Sequence, residues 1–407
     1  MPASLPIAPE AIRAHFPAFS EPSLQGWSFF ENAGGSYTAQ PVIDRLTAFY
    51  TRTKLQPYGA YPASIAGGEA MDFAHIRMAA ALNVSVDAVH FGPSTTANTY
   101  VIAQAMGDWL TSGDTIIVTD QDHEANSGAL RRLAARGITI REWQADPQTG
   151  HLDPAALDDL IDDSVRVVAF PHVSNIVGEI NPVATICAHL RANDVVSIVD
   201  GVSYAPHGLP DVGALGADIY LFSAYKTYGP HQGVMVVRPE LNAQLPNQGH
   251  VYNAGLPRKR LTPAGPDHAQ IAASAGIVDY LETLGAMCDG DGDVFRRAER
   301  VMHAQEQALM APLMDYLSAR NDLRLIGPSD PALRAPTISL ELAEPGFAVA
   351  GRLAEHKIMA GGSHFYAWRL LERLGIDPQK GVLRLSFVHY TAPQEIDRLI
   401  AALDAVL

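Results

Sequence analysis

The chain has 407 residues, 47% of them hydrophobic and 18% charged, enough apolar material for more than one core. A formal net charge of −15, with lysine and arginine nowhere clustered, argues against nucleic-acid binding and points to a small-molecule substrate. Only Cys187 and Cys288 are present, without paired spacing, so no disulfide framework, cysteine zinc site or other metal is expected. No run approaches the 18 or more apolar residues of a membrane span, and with the low cysteine count this gives a cytoplasmic expectation.

In chain order, "APEAIRAHF" reads as a short helix. Nearly continuous β-branched runs then recur at 115–119 ("TIIVT"), 165–170 ("VRVVAF"), 195–200 ("VVSIVD"), 219–222 ("IYLF") and 234–237 ("VMVV"). Such runs suit strands covered on both faces. Between them lie helical patterns, as in "ANTYVIAQAMGDWL", where Val101, Ala105 and Trp109 recur at spacing four beside Ile102, Met106 and Leu110. Strands alternating with helices predict a mainly parallel, doubly wound α/β sheet. After residue 265 long helical stretches and the strands "TISLEL" and "VLRLSFV" predict a smaller α+β domain. The expected division is a large domain over 21–264 and a small one from 1–20 with 265–407.

In open α/β sheets ligands collect outside the carboxyl ends of strands, so the polar residues that end apolar runs are the first candidates. Ser94, Thr95 and Thr96 open a helix after "HFGP", where N–H groups, hydroxyls and the dipole favour a phosphate, although taken alone the stretch reads more readily as plain N-capping. His123 follows "TIIV", and His172, Ser174 and Asn175 follow "VRVVAF"; each also fits a turn. Asp200 ends "VVSIVD", and Lys226 follows "IYLFSAY". A phosphate cradle, a flat ring, an amide, a carboxylate and a lysine together are what pyridoxal phosphate needs, since the lysine forms a Schiff base and the carboxylate keeps the pyridine nitrogen protonated.

The same stretches resemble the fold-type I, class V aminotransferase family of pyridoxal-phosphate enzymes, in its cysteine desulfurase-like and selenocysteine lyase-like branch. The resemblance rests on "FFENAGGSYTAQP", "STTAN", "DHEAN", "SNIVG", "SAYKTYGP" and "RLSFVHYTAPQEIDRL", which span nearly the whole chain. It implies that Lys226 carries the cofactor, Asp200 partners its ring nitrogen and His123 stacks on the ring. Asn175 would contact the ring oxygen or the substrate carboxylate, Thr95, Thr96 and Ser223 the phosphate, and Arg384 the carboxylate of an amino-acid substrate. It also implies a homodimer, with Tyr58 and Tyr61 lining the substrate entrance.

Three positions depart from the family pattern. Ser203 stands in place of a glutamine, Tyr225 in place of a histidine and Pro266 in place of a threonine, so the cofactor contacts at Ser203 and Tyr225 are expected to be rearranged. The loop in which a desulfurase carries its nucleophilic cysteine, here "IMAGGSHFYAWRLLERLG", has none and offers His364 and Tyr366 instead. The expected reaction is therefore C–S or C–Se lysis of a cysteine-like amino acid without a protein persulfide, with His364 as a catalytic acid or positioning group. Transamination, epimerisation and a non-catalytic cofactor-binding regulator are the alternatives.

Overall fold

The computed structural model describes residues 5–263 and 265–407, so residues 1–4 and Ala264, counted in the two expected domains, lie outside it. The larger sheet has seven strands: β1 (Val89–Gly92), β2 (Thr115–Thr119), β3 (Thr139–Trp143), β4 (Val165–Pro171), β5 (Val196–Asp200), β6 (Ile219–Ser223) and β7 (Gly233–Val237). Their spatial order is β1-β7-β6-β5-β4-β2-β3. From β6 across to β3 every pairing is parallel, whereas β7 runs antiparallel to both of its neighbours.

Successive residues of the central strands enter different cores. Val168, Phe170, Val199, Tyr220 and Phe222 join the cluster on one face, and Val167, Ala169, Ile198, Ile219 and Leu221 the cluster on the other. Both faces are dry, which is why these strands read as unbroken apolar runs.

The smaller sheet is antiparallel, made of β8 (Arg324–Ile326), β9 (Thr337–Glu341), β10 (Gly361–Ser363) and β11 (Val382–Ser386) in the order β10-β11-β9-β8. Helices Gly346–Glu355 and Pro393–Val406 and the second half of Val294–Ser318 cover it, through Val349, Leu399 and Leu313 among others.

One expectation about the division needs correction. Helix His268–Ala286 packs on helices Gln40–Arg52 and Pro62–Ala81 within the core of the large sheet, not with the small one. It is apolar nearly all round and fits closely: a Cβ on Gly276 would stand 2.5 Å from the Val42 nitrogen. The N-terminal segment also joins this core through Ile12 and Phe16, while Ile7 donates its N–H to Gln305 Oε1 at 3.2 Å. Among the described residues no helix is long and apolar enough to cross a membrane.

Candidate active site

The parallel strands bring their carboxyl ends to one edge, and the functional groups lie just beyond it. β5 ends on Asp200, β6 on Ser223 and β4 on Pro171, and the three strands are direct neighbours. There they border a cleft of about 710 Å³. Thr95, Thr96, His123, Asn175 and Asp200 line it, as do Ser203, Ser223, Tyr225, Lys226 and Arg384.

Helix Thr95–Trp109 starts at this edge, capped by Ser94, whose hydroxyl accepts the Ala97 N–H at 3.1 Å. In its first turn Thr95 Oγ1 lies 2.7 Å from Ser223 Oγ, so two hydroxyls from different elements converge at the positive end of a helix dipole. The close approach depends on Gly233, where a Cβ would come within 2.3 Å of the Ser94 carbonyl carbon.

Lys226 ends a short 3₁₀ turn and is partly accessible from the cleft. Burial of its ammonium, assisted by the Arg384 charge and opposed by Asp200 and Glu31, lowers its pKa to about 8. Burial pushes Asp200 up to about 6, against the N–H of Val202, which donates to Oδ1 at 2.8 Å, and the charge of Lys226. His123 caps the helix Glu124–Arg131, its Nδ1 accepting the Ala125 N–H at 3.0 Å. Burial and the Lys226 and Arg384 charges lower it to about 3, so it is a neutral imidazole with its proton on Nε2. Tyr225 stacks on His231, with ring centroids 4.7 Å apart.

Five residues singled out in the sequence do not line the cleft. His364 is absent from the cleft lining: its Nδ1 accepts the Tyr366 N–H at 3.0 Å and its ring meets Trp368. Phe365 and Tyr366, both at positive φ, reverse the chain there, and it is these two that reach the cleft. Tyr58 lines a separate cavity of about 540 Å³ and donates its hydroxyl to Asp72 at 3.2 Å, and Tyr61 borders neither cavity. His172 is buried, stacked on Tyr204 at 3.7 Å between centroids, and the hydroxyl of Ser174 accepts the Val177 N–H of a turn.

The model of the family "Aminotransferase class-V" matches residues 28–256, more than half of the chain. The chain belongs to the aminotransferase class-V family. The aminotransferase-like protein FGM3 of Gibberella zeae is 31% identical over 410 residues, covering 98% of each chain. A cysteine desulfurase of Serratia proteamaculans is 30% identical over 99% of this chain and 98% of its own. Among solved structures, the apo form of a cysteine desulfurase from Thermococcus onnurineus superposes with a TM-score of 0.85 at 22% identity, over 99% of both chains, which shows the shared fold. This is thus a cysteine desulfurase-like class V enzyme whose cofactor is pyridoxal phosphate.

The residues fit that cofactor. The hydroxyl pair at the helix terminus suits a phosphate, and Asp200 suits a protonated ring nitrogen. Asn175 supplies an independent sign: its amide donates to the Phe365 carbonyl at 2.9 Å, while its Oδ1 is buried without a donor among the described residues. A buried acceptor left open costs free energy unless a bound group satisfies it.

Sequence reasoning missed Glu31, Phe365 and His231, all of which line the cleft. Glu31 sat inside the recognised "FFENAGG" stretch, but nothing in the local pattern tied it to Arg384. His231, in "GPHQG", carried a signal, since it follows the lysine turn closely.

Proposed function

We propose that this enzyme cleaves the Cβ–S or Cβ–Se bond of a cysteine-like amino acid by elimination, without forming a protein persulfide. The observation that carries the reading is the absence of any thiol from the cleft lining among the described residues. Cys187 is buried beneath the large sheet with its thiol pushed up to about 11, so it is not a thiolate at neutral pH. Cys288, at the end of helix His268–Ala286, bonds the Leu284 carbonyl at 3.3 Å, and burial raises it as well. In place of a nucleophile the loop presents Phe365 and Tyr366.

Bound pyridoxal phosphate supplies a sink for negative charge developing at Cα. Lys226 is the residue to take the Cα proton, because its lowered pKa keeps a fraction of neutral amine near neutrality. Arg384 orients the substrate through its carboxylate, and Asp200 holds the ring nitrogen as a cation. Sulfur or selenium then leaves Cβ with the bonding pair, and Tyr366, not His364, is positioned at the cleft to guide it. With one water consumed, the products are a thiol or sulfide (a selenol or selenide from a selenium substrate), pyruvate and ammonia. The alternative of transamination draws on the same lysine and is favoured by the name of the fungal relative.

The reading includes a homodimer in the cytoplasm. Val251, Tyr252 and Leu256 form an exposed apolar stretch on the loop after the large sheet, with Tyr58 and Tyr61 also exposed. Sedimentation at micromolar concentration should give twice the chain mass; a fully active monomer would refute that part. The reaction itself is tested by incubating holoenzyme with cysteine, selenocysteine and S-substituted cysteines, with and without a keto acid. Equal release of thiol and pyruvate without keto acid supports elimination, whereas an obligatory keto acid replaces it with transamination.

A further inference from the structure

Arg384 is almost fully buried, yet it is not bare. Its Nη2 donates to Glu31 Oε1 at 3.0 Å, its Nη1 makes a long contact of 3.4 Å with the Asn175 carbonyl, and its Cζ lies 3.7 Å from the centre of the Phe365 ring. Nε is buried with no acceptor among the described residues.

Glu31 is seated firmly. Its neighbours Phe30 and Asn32 are bonded on both sides, Phe30 N–H to the Met359 carbonyl at 2.8 Å and Asn32 N–H to the Ser386 carbonyl at 3.2 Å. Its carboxylate occupies space that two glycines leave open: a Cβ on Gly34 would stand 2.7 Å from Oε1, and one on Gly361 would stand 2.4 Å from Oε2. A side chain so housed, in the cleft and against the arginine, is a built feature of the site.

A guanidinium receives a carboxylate best through two parallel N–H bonds, and here one face is covered by a ring and one nitrogen is already engaged by a carboxylate. A second carboxylate arriving at the same cation meets like charge as well. We propose that Glu31 is a built-in competitor for the substrate's α-carboxylate: it holds Arg384 in the free enzyme, must yield donors when an amino acid binds, and so sets how strongly the site prefers amino acids over amines that lack a carboxylate. This rests on the reading of Arg384 as the carboxylate receptor.

The test compares L-alanine, which has no leaving group at Cβ, with ethylamine, its counterpart without the carboxylate. Dissociation constants are read from the change in cofactor absorbance of the holoenzyme. Glu31→Gln should bind L-alanine at least about tenfold more tightly than the native protein, the worth of roughly one charge-assisted hydrogen bond, while ethylamine affinity stays unchanged. Glu31→Asp, which keeps the charge and shortens its reach, should shift L-alanine the same way by less, and it stands in if the first variant does not fold. Unchanged or weaker L-alanine binding in both variants overturns the proposal. Arg384→Gln in the native background tests the underlying reading separately: if it leaves the preference for L-alanine over ethylamine intact, that reading fails and takes this proposal with it.

Discussion

Arg384 and Glu31, 353 residues apart in the chain, meet at 3.0 Å because strand Ser28–Phe29 pairs in parallel with Ile358–Met359 and leads Glu31 into a bridge with Ser386 of β11. The proposed carboxylate receptor therefore joins residues from two distant stretches of the chain. Arg384→Lys keeps the positive charge but loses the planar fork. KM for amino-acid substrates should rise at least about tenfold with a smaller change in kcat, the pattern of lost binding common to ground and transition states. A fall in kcat alone would place Arg384 in the chemistry instead.

As the residue proposed to hold the cofactor, Lys226 would have to be unprotonated to bond its aldehyde. With its pKa lowered from 10.5 to about 8, the neutral fraction near pH 7 is roughly three-hundredfold higher than for an ordinary lysine. Cofactor uptake by the cofactor-free protein, followed by visible absorbance, should accelerate as pH rises to about 8 and then level off. Lys226→Ala should give no such band and lose at least about a hundredfold in rate. Uptake that keeps accelerating to pH 10 would contradict the lowered value.

Asp200 carries the opposite linkage. Its folded value of about 6 exceeds the ordinary 3.8, so the folded cofactor-free protein binds the extra proton, and this contribution makes it less stable as pH climbs from about 4 to about 6. Above that range the penalty approaches about 3 kcal/mol. Asp200→Asn, which can still accept the Val202 N–H, should therefore unfold at higher urea than the native protein when both lack cofactor at pH 7, and the gain should vanish near pH 4. The same variant should bind pyridoxal phosphate more weakly. An equal effect at both pH values would rule out the carboxyl's titration as its cause.

Gly233 tests the phosphate cradle. A methyl there would press on the Ser94 carbonyl carbon at 2.3 Å and the Thr95 nitrogen at 2.6 Å, both backbone atoms that cannot swing away. Gly233→Ala should cost about 1–3 kcal/mol of stability and weaken cofactor affinity at least about tenfold. Gly255, where a Cβ would meet nothing within 4 Å, is the control and should tolerate alanine. Equal affinities for the two variants would mean that the helix terminus does not hold the phosphate.

The large sheet was legible because burial on both faces leaves an unbroken apolar run, and β2, β4, β5, β6 and β7 fall where such runs occur. β3, "TIREW", escaped notice because it is an edge strand with arginine and glutamate among its half-exposed residues. The reversed direction of β7 left no trace either, since an apolar run reads alike both ways. Helix His268–Ala286 was legible as a helix but not as part of the large core, because periodicity records what is buried and not against what. At the site, Asp200 stood out as a polar residue ending an apolar strand and Lys226 as one just beyond another, whereas the Arg384 and Glu31 pair depends on a crossing that no local pattern encodes. His364 and Tyr366 were favoured over Phe365 for their chemistry, and the positive φ at Phe365 and Tyr366, which reverses the chain there, lies outside residue-type reasoning.

The central claim is cleavage without a thiol of the protein, and it is tested most directly by the double variant Cys187→Ser, Cys288→Ser, assayed as holoenzyme without added keto acid. Thiol or sulfide should appear in step with pyruvate at the native rate. If the double variant binds cofactor normally yet is inactive, a protein thiol carries the sulfur and the account is wrong.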